Sequence, residues 1–99
     1  MYQKFIITDS GVLKFGCVYL HYELLDAGEQ CPYGGGLWKI DAVRHAVILY
    51  GRSFDFGKPD FNALRRIDWS GIDGEAHALL YAPQWPNEEC LLPVVATGY

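Results

Sequence analysis

A chain of 99 residues, 51 % hydrophobic and 15 % aromatic, fits one globular domain over residues 1–99 and excludes intrinsic disorder, which lacks the apolar material for a core. Twelve acidic against eight basic residues give a formal charge of −4, which disfavours nucleic acid as a direct partner. Phosphate binding rests on clustered Lys and Arg, and the one basic doublet, Arg65–Arg66, is flanked by Asp60 and Asp68. No apolar run approaches membrane-spanning length, and the run at residues 5–7 is too short for a secretory core, so a cytoplasmic protein without membrane association is expected. Cys17, Cys31 and Cys90 are odd in number and widely spaced, which reads as free thiols in a reducing compartment.

In chain order, residues 4–8 (KFIIT) and 12–15 (VLKF) read as a hairpin turning at Asp9-Ser10-Gly11, with Gly11 in the left-handed position of a three-residue loop. Gly16 marks a bulge or bend before residues 17–22. Residues 19–27 (YLHYELLDA) carry both periodicities, and a short strand running into one helical turn ended by Gly28 is the expectation. Residues 28–36 (GEQCPYGGG) are the longest loop by composition.

Residues 37–41 and 46–53 predict a second hairpin across 42–45. Its second half, AVILY, is the chain's best candidate for a buried central strand. Asp60 predicts an N-cap for a helix over 61–67, with Phe61, Leu64 and Ile67 on one apolar stripe and a stop near 68–71. Residues 76–82 and 91–96 complete the strands, with Pro93 marking the last as an edge. The predicted fold is α+β and mostly β: a bent antiparallel sheet or small barrel packed on one short helix. Phe5, Ile7, Leu13, Leu37, Ile40, Val47, Leu49, Leu64, Leu80 and Val94 are the expected core.

Several constellations carry chemistry on paper. The glycines at 34–36 precede a strand and lack the following Gly-Lys-Ser/Thr, so they read as a close backbone approach or flexible loop and not as a phosphate cradle. Cys17 and His21 stand four apart, but no paired ligand spacing recurs, so no metal and no other cofactor is expected. His21 and Glu23, two apart, would share a strand face and form the best acid–base pair. The loop at 51–60 (GRSFDFGKPD) is the sharpest binding candidate. Arg52 and Asp55 are placed to pair there, Phe54 to lie at the surface and Phe56 inside, and exposed aromatics beside Arg are what binding hot spots use. Tyr33 and Trp85, also in loops, join Arg52, Phe54 and Asp55 as candidate binding residues.

The runs GGGLWKID and AVILYGRSFDFG, with KFIITDSGVLKFG before them, give the chain its family likeness. It resembles small uncharacterised proteins of gut Bacteroidetes. The resemblance implies a bacterial cytoplasmic protein and carries no functional residue with it. The function expected first is an interaction or regulatory module binding another protein, as a monomer or homodimer. A small-ligand-binding domain is the alternative, and an enzyme built on His21 and Glu23 the third.

Overall fold

Strands β1 (Tyr2–Ile7), β2 (Leu13–Val18), β3 (Gly35–Asp41), β4 (Ala46–Tyr50), β5 (Ala78–Ala82) and β6 (Leu92–Val95) hydrogen-bond into one sheet of order β2-β1-β3-β4-β5-β6. The structure, a computed structural model, describes residues 2–65, 78–87 and 90–95. Among these no pairing joins β2 to β6, so the sheet is open and does not close into a barrel. It is mixed: neighbours are antiparallel except β4 and β5, which run parallel. A parallel pair needs a connection long enough to return to the starting end, and residues 51–77 supply it. Helix α1 (Phe61–Leu64) lies on that connection.

The hairpin signals of the sequence act as expected. Thr8 N–H donates to Val12 O (2.9 Å), Gly11 N–H donates to Thr8 O (3.0 Å), and Gly11 takes φ +81°. On the β3–β4 turn the Asp41 carboxylate accepts from the backbone N–H of Val43 (3.0 Å) and Arg44 (3.1 Å) and pairs with the Arg44 guanidinium. Asp60 caps α1, its Oδ1 accepting from the N–H of Asn62 (2.8 Å) and Ala63 (3.4 Å). Ile67, the predicted helix stop at 68–71 and the first two residues of the predicted strand at 76–82 lie outside the described residues.

Period-two alternation assigns the core face. Register places Phe5 opposite Phe15, Ile7 opposite Leu13, Trp38 opposite Leu49, and Val47 opposite Leu79. These side chains, with Tyr81 and Val94, pack under Ala63 and Leu64. The other face is also covered, since Ile6 and Ile48 are fully buried there. Over β1 and β2 the cover is a 3₁₀ turn at His21–Leu24, whose Leu24 lies where a Gly16 side chain would be. Each fully buried aliphatic side chain contributes about 1.5–3 kcal/mol, so this cover is part of the core.

Three expectations change here. Gly16 keeps regular register opposite Lys4, and its role is to admit Leu24. The strand after it stops at Val18, and the 3₁₀ turn ends at Leu24, while Gly28 serves a later turn closed by Glu29 N–H to Asp26 O (3.0 Å). In the expected core, Leu37 and Leu80 are half-buried on the second face, and Ile40, one pair from the end of its hairpin, is 57 % exposed.

Candidate functional site

Gly34 and Gly36 explain how the 51–60 loop is held. A Cβ at Gly34 would stand 2.1 Å from Lys58 O, and one at Gly36 would stand 2.5 Å from Tyr50 O. Only glycine lets the loop lie directly on the start of β3, the close approach that its position before a strand suggests. Ser53, fully buried, donates its N–H to Gly35 O (3.0 Å) and Gly57 O (3.1 Å), and Gly57 N–H returns to Ser53 O (2.9 Å). The Ser53 hydroxyl accepts from Phe56 N–H (3.0 Å), and Asp60 N–H donates to Tyr33 O (2.9 Å). A closed turn over 53–57 results, pinned at both ends to β3 and its approach.

Phe54 stands at the tip of that turn, 96 % exposed. Asp55 beside it is exposed and Phe56 is half-buried. No ion pair joins Arg52 to Asp55. The alternate-residue argument would send both phenylalanines to one side, and the turn separates them.

Behind the turn, at the C-terminal ends of β4 and β5, lies an open cleft of about 210 Å³ lined by Gly51, Arg52, Lys58, Tyr81, Ala82, Pro83 and Trp85. Trp85 is fixed from two sides. Its ring packs on Tyr50 with centroids 4.1 Å apart, and the Lys39 ammonium sits 4.5 Å from its centroid. Tyr81 is buried and stacks on Phe61 at 5.9 Å, and burial pushes its hydroxyl pKa up, which keeps it protonated. Comparison with known proteins finds no matching family model, no similar curated protein and no similar solved structure. The chemistry of the site therefore rests on its own geometry.

That geometry sorts the predicted residues. Arg52 and Trp85 meet in the cleft, Phe54 and Asp55 stand outside it on the turn, and Tyr33 packs half-buried against the core, offering the turn only its carbonyl. Lys58 and Tyr81 belong to the cleft without having been predicted. Lys58 is placed by the glycine contact and Tyr81 by the parallel pairing, and neither leaves a local signal.

The acid–base pair separates. His21 and Glu23 sit on a 3₁₀ turn, where residues two apart point in different directions. His21 is buried with Nε2 2.8 Å from Gly36 O, and Glu23 accepts from Leu20 N–H (2.7 Å). Burial lowers the His21 pKa, opposed in part by the Gly36 carbonyl. Cys31 is buried with its thiol donating to Gly34 O (3.2 Å), while Cys17 and Cys90 are exposed. Among the described residues no three His, Cys, Asp or Glu side chains converge on a metal site, and no helix is long and apolar enough to cross a membrane.

Proposed function

We propose that the chain is an interaction module of the bacterial cytoplasm that binds another protein through the turn at residues 53–57. The observation that carries this reading is Phe54: a large apolar ring, 96 % exposed, on a turn whose backbone is already fixed. Folding gains nothing from that ring, whereas a partner gains a rigid aromatic anchor at little entropic cost. Free thiols at all three cysteines fit a reducing compartment.

The test is Phe54→Ala beside Val43→Ala, a 98 % exposed control on the β3–β4 turn at the other end of β4. Both variants should unfold in urea within about 0.5 kcal/mol of wild type, as surface substitutions do. Only Phe54→Ala should then lose the protein captured by the wild-type chain from a lysate of its host. Equal capture by both variants would refute the reading.

A second reading, a small-ligand-binding domain, draws on a different observation. The cleft joins two cations to a fixed aromatic wall, and binding there would leave Phe54 free.

A further inference from the structure

We propose that the cleft at the ends of β4 and β5 binds a small aromatic monocarboxylate, with Arg52 and Lys58 holding the carboxylate. The inference deepens the small-ligand reading and rests on it.

Charge pairing among the described residues leaves these two cations in one cleft without a carboxylate. Lys14 is paired with Asp26 and Glu29, and Arg44 with Asp41. Arg52 and Lys58 pair with no carboxylate among the described residues. Instead they line one cleft, where an anion would meet two cations. Arg presents a planar fork that matches a carboxylate in two hydrogen bonds, and Lys adds a point charge.

A third donor stands on the same lining. Tyr81 is only 6 % exposed as a residue, and it lines the cleft beside the two cations. A phenol hydroxyl is a hydrogen-bond donor, and a carboxylate oxygen would accept from it.

The rest of the lining argues for a flat apolar body on the anion. Ala82, Pro83 and Trp85 are apolar, and Trp85 is already positioned by Tyr50 and Lys39, so its wall is ordered before a ligand arrives. Size sets the upper limit. An apolar cavity of about 150 Å³ accepts benzene, whereas drug-sized ligands occupy roughly 300 Å³ or more. At about 210 Å³ the cleft matches one ring bearing one carboxylate. Its location agrees, since ligands of open sheets collect beyond the carboxyl ends of parallel strands.

The experiment is a titration of the full chain, followed by amide NMR shifts, with benzoate, neutral benzamide and inorganic phosphate. Benzoate should shift the amides of Arg52, Lys58, Tyr81 and Trp85 saturably, with Kd on the order of 1 mM for so small a ligand. Benzamide should bind about tenfold more weakly, and Arg52→Gln and Lys58→Gln should each weaken benzoate about tenfold while leaving benzamide unchanged. Both side chains are exposed, so the variants keep the fold, which unchanged shifts elsewhere would verify. Equal binding of benzoate and benzamide would overturn the carboxylate inference and leave the small-ligand reading standing. Phosphate binding as tight as benzoate would overturn the aromatic part. Saturable shifts from none of the three would overturn both the inference and the reading beneath it.

Discussion

Replacing Gly34 by alanine tests the claim that the 51–60 loop is held by contact with the glycines. Gly34 has φ +79°, and an added Cβ would meet Lys58 O at 2.1 Å, Lys58 C at 2.7 Å and Gly57 O at 3.0 Å. These are backbone atoms and cannot rotate away. Gly11 is the matched control, with φ +81° and nothing within 4 Å of its Cβ. Left-handed backbone costs a side-chain-bearing residue about 1–2 kcal/mol, and that cost is common to both sites. At Gly34 the loop must also lift, which breaks the bonds Gly35 N–H to Gly57 O and Ser53 N–H to Gly35 O. At about 1 kcal/mol each these add about 2 kcal/mol. Urea unfolding should therefore show Gly11→Ala losing about 1–2 kcal/mol and Gly34→Ala about 3–4 kcal/mol, a large share of a small domain's stability. Equal losses from the two variants would mean that the contact contributes nothing and that the glycines only supply a turn.

Three further outcomes follow from the same contacts. Asp60→Ala should cost about 1 kcal/mol in urea unfolding, and Asp60→Asn much less, because an amide oxygen can still accept from Asn62 and Ala63. His21 is lowered from its ordinary 6.5 by burial, so its stabilising contribution is present above that value and is lost as pH falls below it. The urea midpoint should drop from about pH 7 to about pH 5, and His21→Gln should flatten that drop. A thiol reagent should modify the exposed Cys17 and Cys90 in the native protein and reach Cys31 only on unfolding, because Cys31 is buried and burial raises its thiol pKa.

The local part of this fold was legible in the sequence because its signals are local. AVILY, continuous and apolar, is the buried strand β4; Asp9-Ser10-Gly11 makes its turn; Asp60 directly before Phe61 caps a helix. Residues 19–27 carry both periods, since Leu20, Glu23 and Leu24 fit a helix while Val18, Leu20 and Tyr22 alternate. A strand does run into one helical turn, but its end is set by Leu24 packing over Gly16, outside the segment, and not by Gly28. Closure into a barrel and an all-antiparallel order failed for a similar reason. Pairing of β4 with β5 depends on the path of the connection, not on the composition of either strand. The candidate site divides the same way. The 51–60 loop showed itself by its turn residues, and the separation of Phe54 from Phe56 followed from local turn chemistry. Lys58 and Tyr81 were invisible because only the crossover brings them together.

The turn tip and the cleft are separate surfaces with one anchor, and this yields a last prediction. Phe54 projects from the closed turn, Arg52 precedes that turn, and Lys58 follows it with its own backbone against Gly34. A substitution on either surface leaves the anchor untouched, because the bonds that hold the loop among the described residues come from backbone groups and Ser53, not from the Phe54, Arg52 or Lys58 side chains. Phe54→Ala should then abolish partner capture and leave benzoate binding at its wild-type value, while Arg52→Gln should weaken benzoate about tenfold and leave capture intact. Gly34→Ala should weaken both together even at temperatures where the chain remains folded, since it displaces the backbone that carries both. Benzoate affinity and capture, measured side by side on the three variants, give the pattern. Loss of benzoate binding in Phe54→Ala would show that the ring reaches the cleft and that the two surfaces are one site.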